Sequence, residues 1–261
     1  MEDYLKKEKI HDLLLNIKVS RNQTNKLVEK LEIDDQVIQT ADYVSPIKWH
    51  LGHTSWFFEK FALAKYCKNY KLFSKGYDFI FNSYYETVSH FNLREKRGTL
   101  SRPSLSEVNR YRSYVDKNLN LLFDVHDVNL ENLLNIALNH EQQHQELILM
   151  DIKHILYSNI DKPMFIKKEI DLDCNLNKKK RNEFILDSSV ETKYGYDGSE
   201  FSFDNERPTS NIRLTPFILT DFVTNKDWIE FIENEGYSRP ELWLSDGWKF
   251  INKNKINKPM Y

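Results

Sequence analysis

Up to about residue 158, apolar residues recur at helical spacing almost throughout the chain; beyond it the pattern breaks into short runs separated by turn residues. Leu5, Leu13, Leu14 and Ile17 form one amphipathic segment, and Ser20 is placed to cap a second. Ser45-Pro46 reads as an N-cap followed by proline at the first helical position, opening a helix through Trp49, His53, Trp56, Phe57 and Phe61. Ser104-Leu105-Ser106-Glu107 is a capping box ahead of Val108, Tyr111, Val115 and Leu119. Asn129 is placed to cap the last and longest helix, which reaches about Tyr157. Four long helices joined by connections of varied length predict an antiparallel bundle over residues 1–158, with an interior wide enough for a site.

Residues Asp161 to Asn182 are polar and aperiodic, so 159–194 reads as a connector. After it come Phe201-Ser202-Phe203, Ile212-Arg213-Leu214 and Phe217-Ile218-Leu219, β-prone runs separated by Asp, Asn, Pro and Gly. Thr224 caps a short helix over Asp227 to Ile232, closed by Gly236, and an aromatic stretch, Leu242 to Trp248, follows. The fold class expected is mainly α, a helical bundle followed by a small irregular α+β piece over 195–261. At roughly 65 residues that piece is near the lower limit for independent folding.

Composition narrows the function classes. Net charge is −2 with the charges scattered, which leaves no nucleic-acid footprint, and the Lys178 to Arg181 run reads as part of a solvated linker. Two cysteines, Cys67 and Cys174, without a CxxC spacing exclude a disulfide framework and a cysteine-based zinc module, and point to a reducing compartment. The acidic start, Met1-Glu2-Asp3, is unlike a secretory signal, and no run approaches the ~20 apolar residues of a membrane span. A cytoplasmic location is expected, with no membrane partner.

The chemistry gathers in Asn139-His140-Glu141-Gln142-Gln143-His144-Gln145-Glu146. Histidines four residues apart on a helix stand about 6 Å apart along its axis on one face. At 100° per residue, Leu133, Ala137, His140, His144, Leu147, Asp151 and Ile155 share a stripe, which turns both imidazoles into the bundle. Neutral imidazoles are costly to bury without partners, and a metal satisfies both at once. A third imidazole would complete a centre with open positions, as catalytic sites have. Upstream, Trp49-His50-Leu51-Gly52-His53 offers two candidates, and spacing does not decide between His50 and His53. His11, His90, His126 and His154 lie near helix ends or off these stripes and read as structural or solvated.

Ser45-Pro46 to Trp49, then Leu51-Gly52-His53 and Trp56-Phe57-Phe58-Glu59, resemble the first ligand helix of the ergothioneine biosynthesis sulfoxide synthases, the EgtB family. His140 through Glu146 resembles that family's second motif. Both belong to a DinB-like four-helix bundle. Phe203-Asp204-Asn205-Glu206, Val223-Thr224-Asn225 and Gly236-Tyr237 through Trp248 resemble the opening of the formylglycine-generating-enzyme-like, C-type-lectin-like domain that follows it. The resemblance implies an Fe(2+) cofactor held by His53, His140 and His144, and an oxygen-dependent reaction joining cysteine or γ-glutamylcysteine to hercynine as a sulfoxide. It places Gln143 near the betaine substrate. Arg97 and Arg102 are candidates for gripping the thiol substrate's carboxylate, since guanidinium binds carboxylates through paired hydrogen bonds.

Family members continue past the point equivalent to Tyr261, so the chain is expected to lack the rest of the lectin-like domain, including a tyrosine proposed as proton donor. Tyr84 and Tyr85 supply phenols in the bundle without an assignable role. A separate chain carrying the remaining half is therefore a possible partner. The competing readings are a DinB-type metal-dependent thiol transferase and a non-catalytic metal-binding fragment of a split or degraded gene.

Overall fold

A computed structural model describes residues 2–83, 90–166 and 182–261, side chains from residue 8 onward. Tyr84, Tyr85, Cys174, the Lys178 to Arg181 run and the Leu5 side chain lie outside the described residues. The chain divides into two compact units, residues 1–168 and 169–261. It is mainly α-helical, with small antiparallel sheets.

The first unit opens with α1 (Glu2–Val28). This is one continuous helix rather than two, because Ser20 is buried inside it and takes a hydrogen bond from Gln145 Nε2 instead of capping a new start. Ile10, Leu14, Ile17, Arg21, Thr24 and Val28 recur at intervals of three and four and are all buried, so the face stays continuous even where it turns polar. Then α2 (Ile47–Phe57) begins one residue later than the sequence suggests: Pro46 is the N-cap, extended at ψ 140°, and its carbonyl accepts the Trp49 N–H. The helix runs on through a π turn (Phe58–Leu63) into the short α3 (Ala64–Tyr66). The π turn swings Glu59 inward, where its carboxylate accepts from Tyr70 Oη, the Phe73 N–H and Tyr111 Oη.

A single turn, α4 (Tyr77–Ile80), precedes α5 (Leu105–Asn118), whose N-cap Ser104 accepts from the Glu107 N–H. Tyr77 Oη donates to the Glu107 carboxylate. The long α6 (Val128–Tyr157) is capped by Asp127, not Asn129: the Asp127 carboxylate accepts the Asn129 N–H at 2.7 Å. α1 lies along α6, while α2 packs on both α5 and α6. Leu14, Val108, Tyr111, Val115, Leu130, Leu134 and Ile148 fill the interior. Each such side chain contributes about 1.5–3 kcal/mol by leaving water.

In the second unit β1 (Glu183–Leu186) pairs antiparallel with β4 (Phe217–Thr220), and β2 (Val190–Tyr194) with β3 (Ser210–Leu214). β1 and β2 fall within the stretch read as connector, and Phe201 to Phe203 is not a strand. Thr224 caps α7 (Asn225–Glu233) through a reciprocal capping box with Asp227. The left-handed residue after α7 is Glu235, at φ 57°, rather than Gly236. Gly236 is needed for a different reason, since a Cβ there would stand 2.4 Å from the Phe231 ring. Last comes α8 (Ser245–Asn254). No described helix is long and apolar enough to cross a membrane.

Candidate metal centre

Every residue of α2 is buried, so His50 and His53, one turn apart, both face protein. On α6 the fully buried line runs through Leu130, Leu134, Ala137, Glu141, His144, Ile148, Ile152 and Ile155, rotated from the stripe expected around Leu133, His140 and Leu147. His144 lies on that line, and His140 sits half-buried at its edge. His53, His140 and His144 converge, each offering one ring nitrogen, with these atoms within 4.8 Å of one another.

Hydrogen bonding fixes how His53 is presented. Its Nδ1 lies 2.5 Å from the Phe81 carbonyl oxygen, which can only accept, so Nδ1 carries the proton and Nε2 the lone pair. That Nε2 faces His140 Nε2 at 3.2 Å, the separation two ligands of one ion need when each is ~2.0–2.2 Å from it. The ring is held flat against Trp49, with centroids 4.6 Å apart and planes at 11°, while Phe57 packs against His140. Gly52 lets the Phe81 ring come close to α2, since a Cβ there would stand 2.1 Å from Phe81 Cε1.

All these imidazoles are kept neutral. Burial pulls His53 and His144 well below the usual histidine range, and the neighbouring rings and the Arg97 charge add to it. His140 is lowered to about 4, chiefly by burial. Neutral, unprotonated nitrogens are the form that binds metal.

His50 does not join the three. Its Nδ1 lies 2.8 Å from His144 Nδ1 and its Nε2 lies 2.9 Å from Asp151 Oδ2, an oxygen that also accepts the Ser45 N–H. Arg97 is buried close by, its guanidinium 3.3 Å above the Trp49 ring and one nitrogen donating to Ser45 Oγ. Lys48 holds the following loop to α2 by donating to the Leu100 and Pro103 carbonyls. Arg102 is exposed and donates to the Ser101 carbonyl, and Gln143 is exposed on α6. Of the three candidate substrate contacts, Arg97 is the buried one, while Arg102 and Gln143 are exposed. His154 is structural, wedged between Thr40 Oγ1 and Tyr43 Oη.

The sequence reading missed the charged network beneath the cluster. The Glu141 carboxylate accepts from Arg21 Nη1 at 3.1 Å, Arg112 Nη2 at 2.7 Å and Thr24 Oγ1 at 2.6 Å, and both arginines are almost fully buried. Arg21 also reaches Asp116 and Ser55, and Arg112 reaches Asn25 and Thr54, so α1, α2, α5 and α6 are fastened together next to His140. Burial alone would raise the Glu141 carboxyl, but Arg112 and Arg21 hold it down at about 2.

The fold and site thus define a helical unit holding three convergent neutral imidazoles on two helices, a donor set suited to a divalent transition metal and leaving coordination positions open. No protein-family model matches the chain. Over 61 residues, 23% of its length, the chain is 34% identical to the hercynine oxygenase of Mycolicibacterium smegmatis and 31% identical to that of Mycobacterium tuberculosis. The match spans 14% of the length of each of these curated relatives.

Proposed function

We propose that His53, His140 and His144 hold a ferrous ion and that the chain serves in oxygen-dependent carbon–sulfur bond formation. It would join the thiol of cysteine or γ-glutamylcysteine to hercynine as a sulfoxide. The observation that carries the reading is the convergence of three imidazoles, two buried and one half-buried, in a chain similar to two hercynine oxygenases. The balance is thiol plus imidazole C–H plus dioxygen giving sulfoxide plus water: carbon–sulfur coupling removes two electrons and sulfur oxidation two more, matching the four that dioxygen accepts. Iron, when bound, supplies the redox chemistry and a seat for thiolate and oxygen.

The chain's own residues do the rest. The two ligand helices are held by the Glu141 network, which fixes their spacing. The walls of Trp49, Phe57 and Phe81 exclude water around the rings. Arg97, seated beside the cluster, is the candidate for orienting a substrate carboxylate, and Gln143 for contacting the betaine.

The test is anaerobic titration of the chain with ferrous iron, then addition of oxygen, hercynine and each thiol, with product read by mass spectrometry. One iron per chain, lost in His144→Ala, is the expected result, and any sulfoxide formed should disappear with it. Failure to bind iron refutes the reading. Thiol transfer that needs metal but not oxygen would assign the site to a metal-dependent thiol transferase instead.

A further inference from the structure

His50 and Asp151 are placed one step behind the three convergent histidines, and the proposed function gives them nothing to do. Their geometry nevertheless determines where protons sit. Asp151 Oδ2 already accepts the Ser45 N–H at 3.0 Å, and His50 Nε2 lies 2.9 Å from the same oxygen. An ionised carboxylate only accepts, so His50 Nε2 must carry hydrogen. In a neutral ring the other nitrogen, Nδ1, then holds the lone pair. That lone pair points at His144 Nδ1, 2.8 Å away, so His144 must donate from Nδ1. Its Nε2 is thereby left bare. Reversing the order would set a bare His50 Nε2 against a carboxylate oxygen at hydrogen-bond distance, with two acceptors and no proton between them.

We propose that Asp151 and His50 are positioning residues that form a two-step hydrogen-bond relay fixing His144 as its Nδ1–H tautomer, so that its Nε2 lone pair is aimed at the metal. The proposal rests on the reading of His53, His140 and His144 as ligands. His53 reaches the same tautomer by a shorter route, through the Phe81 carbonyl. The two helices thus present matching lone pairs by different means: one ring is set by backbone, the other by a side-chain carboxylate acting through an intervening imidazole. Such outer partners orient a ligand ring and raise its basicity, and losing them typically weakens metal binding 10–100-fold. Asp151 sits seven residues beyond His144, two turns along α6, so the relay runs parallel to the helix and links α6 back to the start of α2 through the Ser45 amide.

Two measurements on the full chain test it. Long-range ¹⁵N–¹H spectra of the metal-free protein report which nitrogen of each imidazole is protonated: Nδ1–H is expected for His53 and His144, and Nε2–H for His50. Cobalt titration then gives affinity. Asp151→Leu and His50→Phe should each weaken cobalt binding 10–100-fold, and the double variant should be no weaker than either, because both break one chain. Asp151→Asn, whose amide oxygen still accepts, should keep the tautomers and most of the affinity. Circular dichroism controls for folding, and the native spectrum needs no variant. An Nε2–H tautomer at His144 in the native protein, or unchanged cobalt affinity in folded Asp151→Leu, overturns the relay while leaving the site standing. The expected tautomers with no cobalt binding by the native chain would overturn the metal reading, and the relay's purpose with it.

Discussion

Replacing Glu141 by glutamine tests the charged network that holds the helices around the histidines. The side chain keeps its size but loses the charge facing two guanidiniums that are 1% and 3% exposed. The carboxyl titrates at about 2 in the fold, against 4.5 for an unperturbed glutamate. At about 1.4 kcal/mol per pKa unit, that difference amounts to about 3 kcal/mol of stability at neutral pH. A buried ion pair broken from one side costs about 3–5 kcal/mol, in agreement. The sign follows from the depressed folded value: the contribution is complete above the unfolded titration near 4.5 and is lost as pH falls to about 2. Urea unfolding followed by helical circular dichroism, run on both proteins from pH 7 to pH 3, should show Glu141→Gln about 3–5 kcal/mol less stable at pH 7. By pH 3 the gap should narrow by about 2 kcal/mol. A loss below about 1 kcal/mol at pH 7, or a gap that does not change with pH, would show that the arginines find other compensation and that Glu141 is not what fastens the helices.

Three further outcomes are expected. His140→Ala and His144→Ala should each abolish stoichiometric iron binding with little change in helical circular dichroism, because the core of the unit is aliphatic and aromatic; retained iron in either variant would sink the ligand set. Gly52→Ala drives a methyl into the Phe81 ring and should cost about 1–3 kcal/mol. It should also weaken metal binding, since the Phe81 carbonyl sets His53, and a variant as stable and as tight as the native chain would contradict the close contact. Ser104→Ala removes an N-cap and should cost about 1 kcal/mol in thermal or urea unfolding while leaving metal affinity unchanged.

The helices, most of the apolar interior and the inward turn of His140 and His144 could be read from periodicity, because side chains repeating every three or four residues leave a pattern in the chain itself. What escaped involves partners far apart in sequence. Glu141 looks like a solvent residue on a helical wheel; only Arg21 and Arg112, 120 and 29 positions away, make its burial tolerable. The same network rotates the buried line of α6 away from the one drawn through Leu133 and Leu147. Ser20 carried a capping signal but serves Gln145 from mid-helix. Spacing left His50 and His53 equivalent, and the difference lies in what each ring nitrogen meets: Phe81 oxygen and His140 for one, Asp151 and His144 for the other. β1 and β2 lacked alternation because both faces are largely exposed.

The pairing of α1 with α6 also sets a timetable for synthesis. The first helix made is completed by the last of its unit: α1 ends at Val28, whereas the chain that covers it is finished only at Tyr157. At ~5–20 residues per second, the ribosome leaves the apolar stripe of α1 waiting on the order of ten seconds for its neighbour. Ile10, Leu14 and Ile17 must be shielded for that time, and Arg21 has no counter-charge from Glu141 until α6 is half made. The imidazole cluster is subject to the same delay, since His53 emerges 87 residues before His140. On the metal reading proposed above, loading is an event of the finished helical unit, since a nascent chain halted before α6 offers an ion one of the two histidine-bearing helices alone.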